Sequence, residues 1–235
     1  MVDYSQFVQR LQRLRESVAT ICQQCNRSPS SVEILAVTKV HPLRAIQFAA
    51  EAGILGIGEN RVQEAMGKFS QASCPPIRKE LIGPLQRNKA KLAVQYFDRI
   101  QSVDSLKLAH KIDTCAADLD KTQAILLQIN VDDDPHKSGF SLTEAPIALE
   151  ACLEKDALRV EGLMTIGLLT TDPQGIRKTF KRLATLHQQL QEQFNYSLPE
   201  LSMGMSNDYS LAIEQGSTQI RVGTQLYGSR PQKNG

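Results

Sequence analysis

Residues 31–42 read SVEILAVTKVHP. Positions 32–37 are apolar or strand-tolerant apart from Glu33, long enough for one buried strand. The run then delivers a single cation, Lys39, before His41-Pro42 and a helical pattern. Lysine is seldom buried unless paired, and its pKa falls readily when it is desolvated. A lysine at the C-terminal end of a buried strand is therefore the candidate chemical centre.

Working outward, the remainder of the chain repeats the same alternation of strand and helix. Strands are predicted at 32–38, 54–58, 80–83, 99–103, 124–130, 159–166, 200–205 and 219–223, with helices near 42–52, 61–71, 86–96, 105–118, 141–154, 173–194 and 207–215. Pro42 and Pro173 stand at first-turn positions, Ser141 and Thr143 near another start, and Ser206-Asn207-Asp208 at the last. Gly53 and Gly216 fit helix stops. Ahead of the first strand, Phe7, Leu11, Leu14, Val18, Ile21 and Cys25 recur at helical spacing over residues 3 to about 26.

Eight strands with helices between them predict a single (β/α)8 (TIM) barrel, an α/β fold that needs about 200 residues or more. The expected barrel covers residues 1–230, leaving 231–235 as a polar tail. The segment after the last strand, TQLYGSRPQKNG, is too short for a full covering helix, so the N-terminal helix is expected to complete the ring. An open doubly wound sheet would carry a Gly-rich phosphate loop after its first strand. Here that place reads KVHP, and neither GxGxxG nor GxxxxGK occurs.

Composition narrows the function classes. The 27 basic and 25 acidic residues are evenly mixed, giving +2 and no footprint for nucleic acid or an anionic membrane. The N-terminus lacks the pattern of a signal peptide, and no apolar run approaches a transmembrane span, so a cytoplasmic protein is expected. The five cysteines are odd in number and scattered, which argues against a disulfide framework. Cys22 and Cys25 have CxxC spacing but no second pair or histidine downstream, and read as reduced thiols on a helix; no metal site is expected.

In barrels of this kind the site lies at the C-terminal ends of the strands, and phosphate is often held after the seventh and eighth. Ser206 and Asn207 stand where a helix begins, Gly223 permits close backbone approach, and Thr224 adds a hydroxyl. Each alone is more often a turn cap; two such loops on neighbouring strands favour an anion site. Strand alternation puts Arg221 in the barrel if Ile220 and Val222 face the helices. From the residues alone two readings of Lys39 and Arg221 stay open. Either they face a phosphorylated aldehyde, or Lys39 reaches solvent and Arg221 pairs with a carboxylate such as Glu59.

The motifs VTK at strand one, GIGENRVQEA at strand two, IGPLQRNK at strand three, LSMGMSNDY at strand seven and IRVGTQLYG at strand eight together resemble the YggS-like pyridoxal-phosphate homeostasis proteins. The resemblance spans about residues 30–230. It implies an alanine-racemase-type barrel, fold type III among proteins that bind pyridoxal 5'-phosphate. It also implies that Lys39 forms the Schiff base (internal aldimine), that Ser206, Gly223 and Thr224 hold the phosphate, and that Arg221 faces the pyridine nitrogen. Asn60 would lie by the ring substituents and Met203 near the ring. Pro84 departs from the family, many members of which carry histidine there. Lys137, Ser138 and Gly139, after strand five, also match, and are read as capping the helix that follows.

An arginine at the ring nitrogen only donates, so the nitrogen stays unprotonated and the electron sink is weak. Racemases of this fold type add a C-terminal domain with a catalytic tyrosine, and no residues remain here for one. Tyr209 and Tyr227 are expected to pack near the cofactor rim. The expected function is to hold, buffer or deliver the cofactor, acting on intracellular homeostasis of the vitamer and of amino and keto acids, without robust catalysis. An amino-acid racemase, or another slow enzyme of the same cofactor, is the alternative; a sugar-phosphate enzyme with a Schiff-base lysine is a third. A monomer with no nucleic-acid or membrane partner, and possible cofactor transfer to apo-enzymes, completes the expectation.

Overall fold

The computed structural model describes residues 2–168 and 170–228, so the tail expected at 231–235 lies outside the described residues. Eight parallel strands close into a barrel in chain order: β1 (Glu33–Val37), β2 (Gly56–Glu59), β3 (Arg78–Leu81), β4 (Arg99–Val103), β5 (Gln123–Gln128), β6 (Leu158–Met164), β7 (Glu200–Met205) and β8 (Gln219–Val222). Closure is made by β1 against β8, with Leu35 opposite Arg221 and Ala36 opposite Val222.

Around the barrel run α1 (Tyr4–Gln24), α2 (Leu43–Glu51), α3 (Val62–Phe69), α4 (Ala90–Tyr96), α5 (Leu106–Ala117), α6 (Ala145–Leu153), α7 (Pro173–Phe194), α8 (Tyr209–Glu214) and the single turn α9 (Thr224–Tyr227). α1 fills the place left by the short α9. Its start is a capping box between Asp3 and Gln6, and its buried stripe is Phe7, Leu11, Leu14, Val18 and Cys22. Phe7 stacks on Tyr227 of α9 with ring centroids 5.1 Å apart. The ring is therefore closed from the N-terminal end of the chain, as expected. Gly53 and Gly216 follow the last turns of α2 and α8 with φ of +72° and +100°, the left-handed stop that glycine takes without strain.

Several boundaries differ from expectation, for local reasons. Strand two begins at Gly56 rather than Ile54, because the Ile54 N–H is taken by the Ala49 carbonyl in the turn that ends α2. Strand three begins at Arg78, although Arg78-Lys79 reads as loop. The Arg78 guanidinium turns into the barrel and is neutralised by Glu33 and Glu80, which makes it a strand residue. Pro42 is the residue before α2 rather than in its first turn. The helix expected from 141 begins at Ala145, with Ser141 and Glu144 bonded to each other ahead of it.

The lower lumen of the barrel is polar. Glu80, fully buried, accepts from Arg99 at 2.9 Å through both oxygens and from Arg78 and Gln101 at 2.8 and 2.5 Å. Arg99 also reaches Glu161 and Glu200, each at 3.0 Å. Burial pushes the Glu80 carboxyl up, but the Arg99 guanidinium and its hydrogen bonds, with Arg78 beyond, outweigh it and hold the group below the usual carboxylate range. A lowered native pKa contributes stability that is present above the unfolded-state pKa and is lost as pH falls through the native one. Glu80→Gln is expected to cost about 1.5–3 kcal/mol at neutral pH by weakening the charged hydrogen bonds from Arg99 and Arg78, with Glu161 and Glu200 still paired to Arg99. Urea denaturation should show the gap from wild type narrowing as pH drops below the carboxylate range. A gap that is the same at neutral and acid pH would sink this account.

Candidate functional site

Arg221 and Gly223 lie where β8 meets β1, the strand that runs into Lys39. Lys39 is half-buried in the turn that follows β1. Ile220 and Val222 are fully buried in the layer beneath α1 and α2, so alternation sends Arg221 inward as expected. The Arg221 Nη1 donates to the Ser202 carbonyl at 2.8 Å and lies 2.7 Å from its hydroxyl; Nη2 donates to the Thr165 carbonyl at 2.6 Å. All of these acceptors are neutral. Among the described residues Arg221 makes no ion pair, and Glu59, the carboxylate considered for it, pairs with Lys68 instead. Burial pushes the Arg221 guanidinium down to about 10, with Asp208 and Glu80 acting against it, so the group stays charged at neutral pH.

The two expected loops touch each other. Gln225 Nε2 donates to the Ser206 carbonyl at 2.8 Å, tying the β7–α8 turn to the start of α9. Ser206 is half-buried and Thr224 exposed. The helix after Ser206 begins later than expected, at Tyr209, and the Asp208 carboxylate takes the Met205 N–H at 2.6 Å rather than capping that helix. Gly223 is needed for close approach: a Cβ there would lie 3.2 Å from the Val37 carbonyl oxygen and 3.3 Å from the Val37 Cβ. The β8 end therefore sits directly against the strand that delivers Lys39.

The other candidates are placed less centrally. Asn60 follows β2, and a Cβ on Gly83 would meet its carbonyl at 2.3 Å, so the loops after β2 and β3 are pressed together with Pro84 exposed beside them. Met203 is fully buried in the apolar layer that also holds Leu201 and Ala212. It alternates with the inward Ser202, so its side chain belongs to the packing between sheet and helices rather than to the mouth. Lys137 does not cap the next helix; its Nζ donates to the Gly167 carbonyl at 3.1 Å and joins the loops after β5 and β6. Tyr209 and Tyr227 are also used structurally. The Tyr209 hydroxyl lies 2.9 Å from Ser17 Oγ on α1, and Tyr227 donates to the Ala45 carbonyl at 3.0 Å with its own pKa raised by burial.

An open groove of about 720 Å³ lies to one side, lined by Gln86, Arg87, Asn88, Asp104, Ser105 and Lys107 after β3 and β4. None of the site residues expected from sequence lines it. Ser202 and Thr165, which orient Arg221, were not expected. For Ser202 the signal was present, because it alternates with Glu200 on an inward face.

Comparison with known proteins bears on this arrangement. Residues 9–231 match the family described as alanine racemase, N-terminal domain. The pyridoxal phosphate homeostasis protein of Synechocystis is 42% identical over 86% of this chain and 93% of its own length. That of Vibrio alginolyticus is 36% identical over 96% and 98%. The chain belongs to the pyridoxal phosphate homeostasis protein family. PipY of Synechococcus elongatus, a member whose structure is known with and without pyridoxal phosphate, superposes with TM-scores of 0.83 and 0.85 at 38% identity, covering 94% of this chain and all of PipY. An alanine racemase of Clostridium difficile shares the barrel at TM-score 0.76 and 13% identity, and is spanned over 57% of its own length. The family and the alanine-racemase-type barrel are thus those that the sequence motifs imply.

Ser202 and Thr224 separate the packed part of this site from its open part. Ser202→Ala removes a buried hydroxyl from Arg221, Gln101 and Gln219, and is expected to cost about 1–3 kcal/mol. Thr224→Ala is expected to stay within about 0.5 kcal/mol of wild type. Urea unfolding midpoints measure both; equal losses would contradict the placement of these two side chains.

Proposed function

We propose that this protein holds pyridoxal 5'-phosphate through Lys39 at the β8–β1 mouth and serves intracellular homeostasis of the cofactor. The observation that carries this reading is a buried Arg221 whose hydrogen-bond acceptors are all neutral, on the strand that lies against the one running into Lys39, beside two loops tied by Gln225. Such a donor set fits a phosphorylated aldehyde: an amine for the carbonyl, a fixed cation for a ring acceptor, and hydroxyl-bearing loops for the phosphate. When bound, the cofactor supplies an aldehyde carbon that forms a C=N bond to an amine with loss of one water, and a ring that withdraws electrons.

The chain's own residues divide the work. Lys39 provides the amine. Ser206, Gly223 and Thr224 take the phosphate, Asn60 lies beside the ring, and Arg221 stands at the pyridine nitrogen. Because guanidinium only donates, Arg221 leaves that nitrogen without a proton and weakens the ring as an electron sink. Ser202 and Thr165 keep the guanidinium from rotating away. Holding rather than turnover is further supported by the two tyrosines, whose hydroxyls are committed to α1 and α2. The likeness also extends along nearly the whole of the homeostasis proteins, but along little more than half of the racemase. In this reading the held cofactor is buffered or passed to apo-enzymes in the cytoplasm.

Purified protein mixed with pyridoxal 5'-phosphate is expected to gain the visible absorption of a lysine-bound cofactor, absent in Lys39→Ala. Ser206→Ala with Thr224→Ala should lower retention during gel filtration by about tenfold, with the thermal unfolding midpoint unchanged. Protein that stays colourless at saturating cofactor rejects the reading. Substantial amino-acid racemisation lost in Lys39→Ala would replace holding by catalysis.

A further inference from the structure

Behind the turn that carries Lys39 lies an ion cluster that the reading above does not use. Glu59, at the end of β2, is fully buried. Its Oε1 accepts from the Thr38 hydroxyl at 2.6 Å and from Lys68 Nζ at 2.7 Å. Lys68, on α3 and itself buried, also donates to the Thr38 carbonyl at 3.0 Å and pairs with Glu64, one turn earlier on the helix, at 3.1 Å. Glu64 accepts from the Val40 N–H at 2.6 Å. The network therefore grips Thr38 by hydroxyl and carbonyl and Val40 by its amide, and these are the residues on either side of Lys39.

The backbone between those grips is not one the chain would choose unaided. Val40 has φ of +61°, the left-handed region, where a β-branched residue is a genuine outlier. The residue is 49% exposed, so apolar packing does not impose that conformation. The turn is closed by the His41 N–H on the Thr38 carbonyl at 3.1 Å, and the Glu64 hydrogen bond to the Val40 amide restrains it from α3. A buried lysine and two carboxylates are also costly to desolvate, and a stability role alone would be met as well by apolar side chains.

We infer that Glu59, Lys68 and Glu64 form a clamp that positions Lys39, fixing the path of its backbone so that its amine meets an incoming aldehyde in one orientation. The inference rests on the reading of Lys39 given above. These three are positioning residues: they act through the backbone of the lysine rather than on the cofactor. Pre-orientation affects the capture step most, because small displacements of a reacting group cost far more in rate than in binding of the remainder of the ligand.

Glu64 is the point at which to test this, since its side chain is 30% exposed and its loss leaves the Glu59–Lys68 pair in place. Glu64→Ala removes the acceptor for the Val40 amide, whereas Glu64→Gln keeps one. Stopped-flow absorption of apo-protein mixed with pyridoxal 5'-phosphate should show capture slowed about tenfold in Glu64→Ala and restored to within about threefold of wild type in Glu64→Gln. Titration calorimetry with pyridoxine 5'-phosphate, which has an alcohol in place of the aldehyde, should give the same affinity in all three proteins. Capture at the wild-type rate in Glu64→Ala, or equal slowing in both variants, overturns the clamp while leaving Lys39 as the capturing amine. Parallel loss of alcohol affinity and capture rate also overturns it, by showing a general structural defect. A wild type that captures nothing, with no difference from Lys39→Ala, rejects the reading of Lys39 itself and the clamp with it.

Discussion

Everything at the mouth of this barrel depends on how the charges inside it are compensated. Glu80 sits at the centre of the lower lumen, where a bare carboxylate would be untenable, and is met by Arg99, Arg78 and Gln101. From there the contacts continue upward. Gln101 lies 2.7 Å from the Ser202 hydroxyl, and Ser202 in turn bonds Arg221. The lower cations are spent on carboxylates, whereas Arg221 receives only carbonyls and a hydroxyl. The upper part of the lumen thus differs from the lower in holding an arginine whose hydrogen-bond acceptors are all uncharged.

The same helix that closes the barrel also fixes two tyrosines. α1 occupies the position that a helix after β8 would take, and it does so by packing Phe7 on Tyr227 and bonding Ser17 to Tyr209. Each tyrosine that could have served as a second proton-transfer group is thereby held as part of the ring. Burial raises the Tyr227 hydroxyl further from the range where it could exchange protons at neutral pH. Barrel closure and the fixing of both tyrosines follow from one set of contacts.

The fold was legible because most strands are short apolar runs bounded by glycine, proline or polar residues, and because the α1 stripe repeats at helical spacing. Where boundaries were missed, the missing information was a distant charge. Arg78 becomes a strand residue only through Glu33, 45 positions earlier in the chain, a pairing no local pattern can reveal. Lys39, Arg221 and Gly223 were legible from strand-end position and alternation. Met203 was carried over with its motif, and alternation with Ser202 places it in the outer layer. Lys68 could not have been found, since a lysine on an amphipathic helix reads as a solvated charge.

That last case bears on what a strand-end lysine needs. An apolar strand can place a Cα at the mouth of a barrel, but the direction of a long side chain is decided by the two or three residues that follow, where ladder bonds have stopped. Here Thr38 still takes one bond from the neighbouring strand, its N–H donating to the Gly58 carbonyl at 3.0 Å, and beyond it the chain turns through the left-handed Val40. Regular structure thus hands over to side-chain restraints from β2 and α3 around Lys39. The stretch GENRVQEAMGK at 58–68 is accordingly one structural unit with VTKV at 37–40: its Glu59, Glu64 and Lys68 complete for the turn what the β-ladder does for the strand.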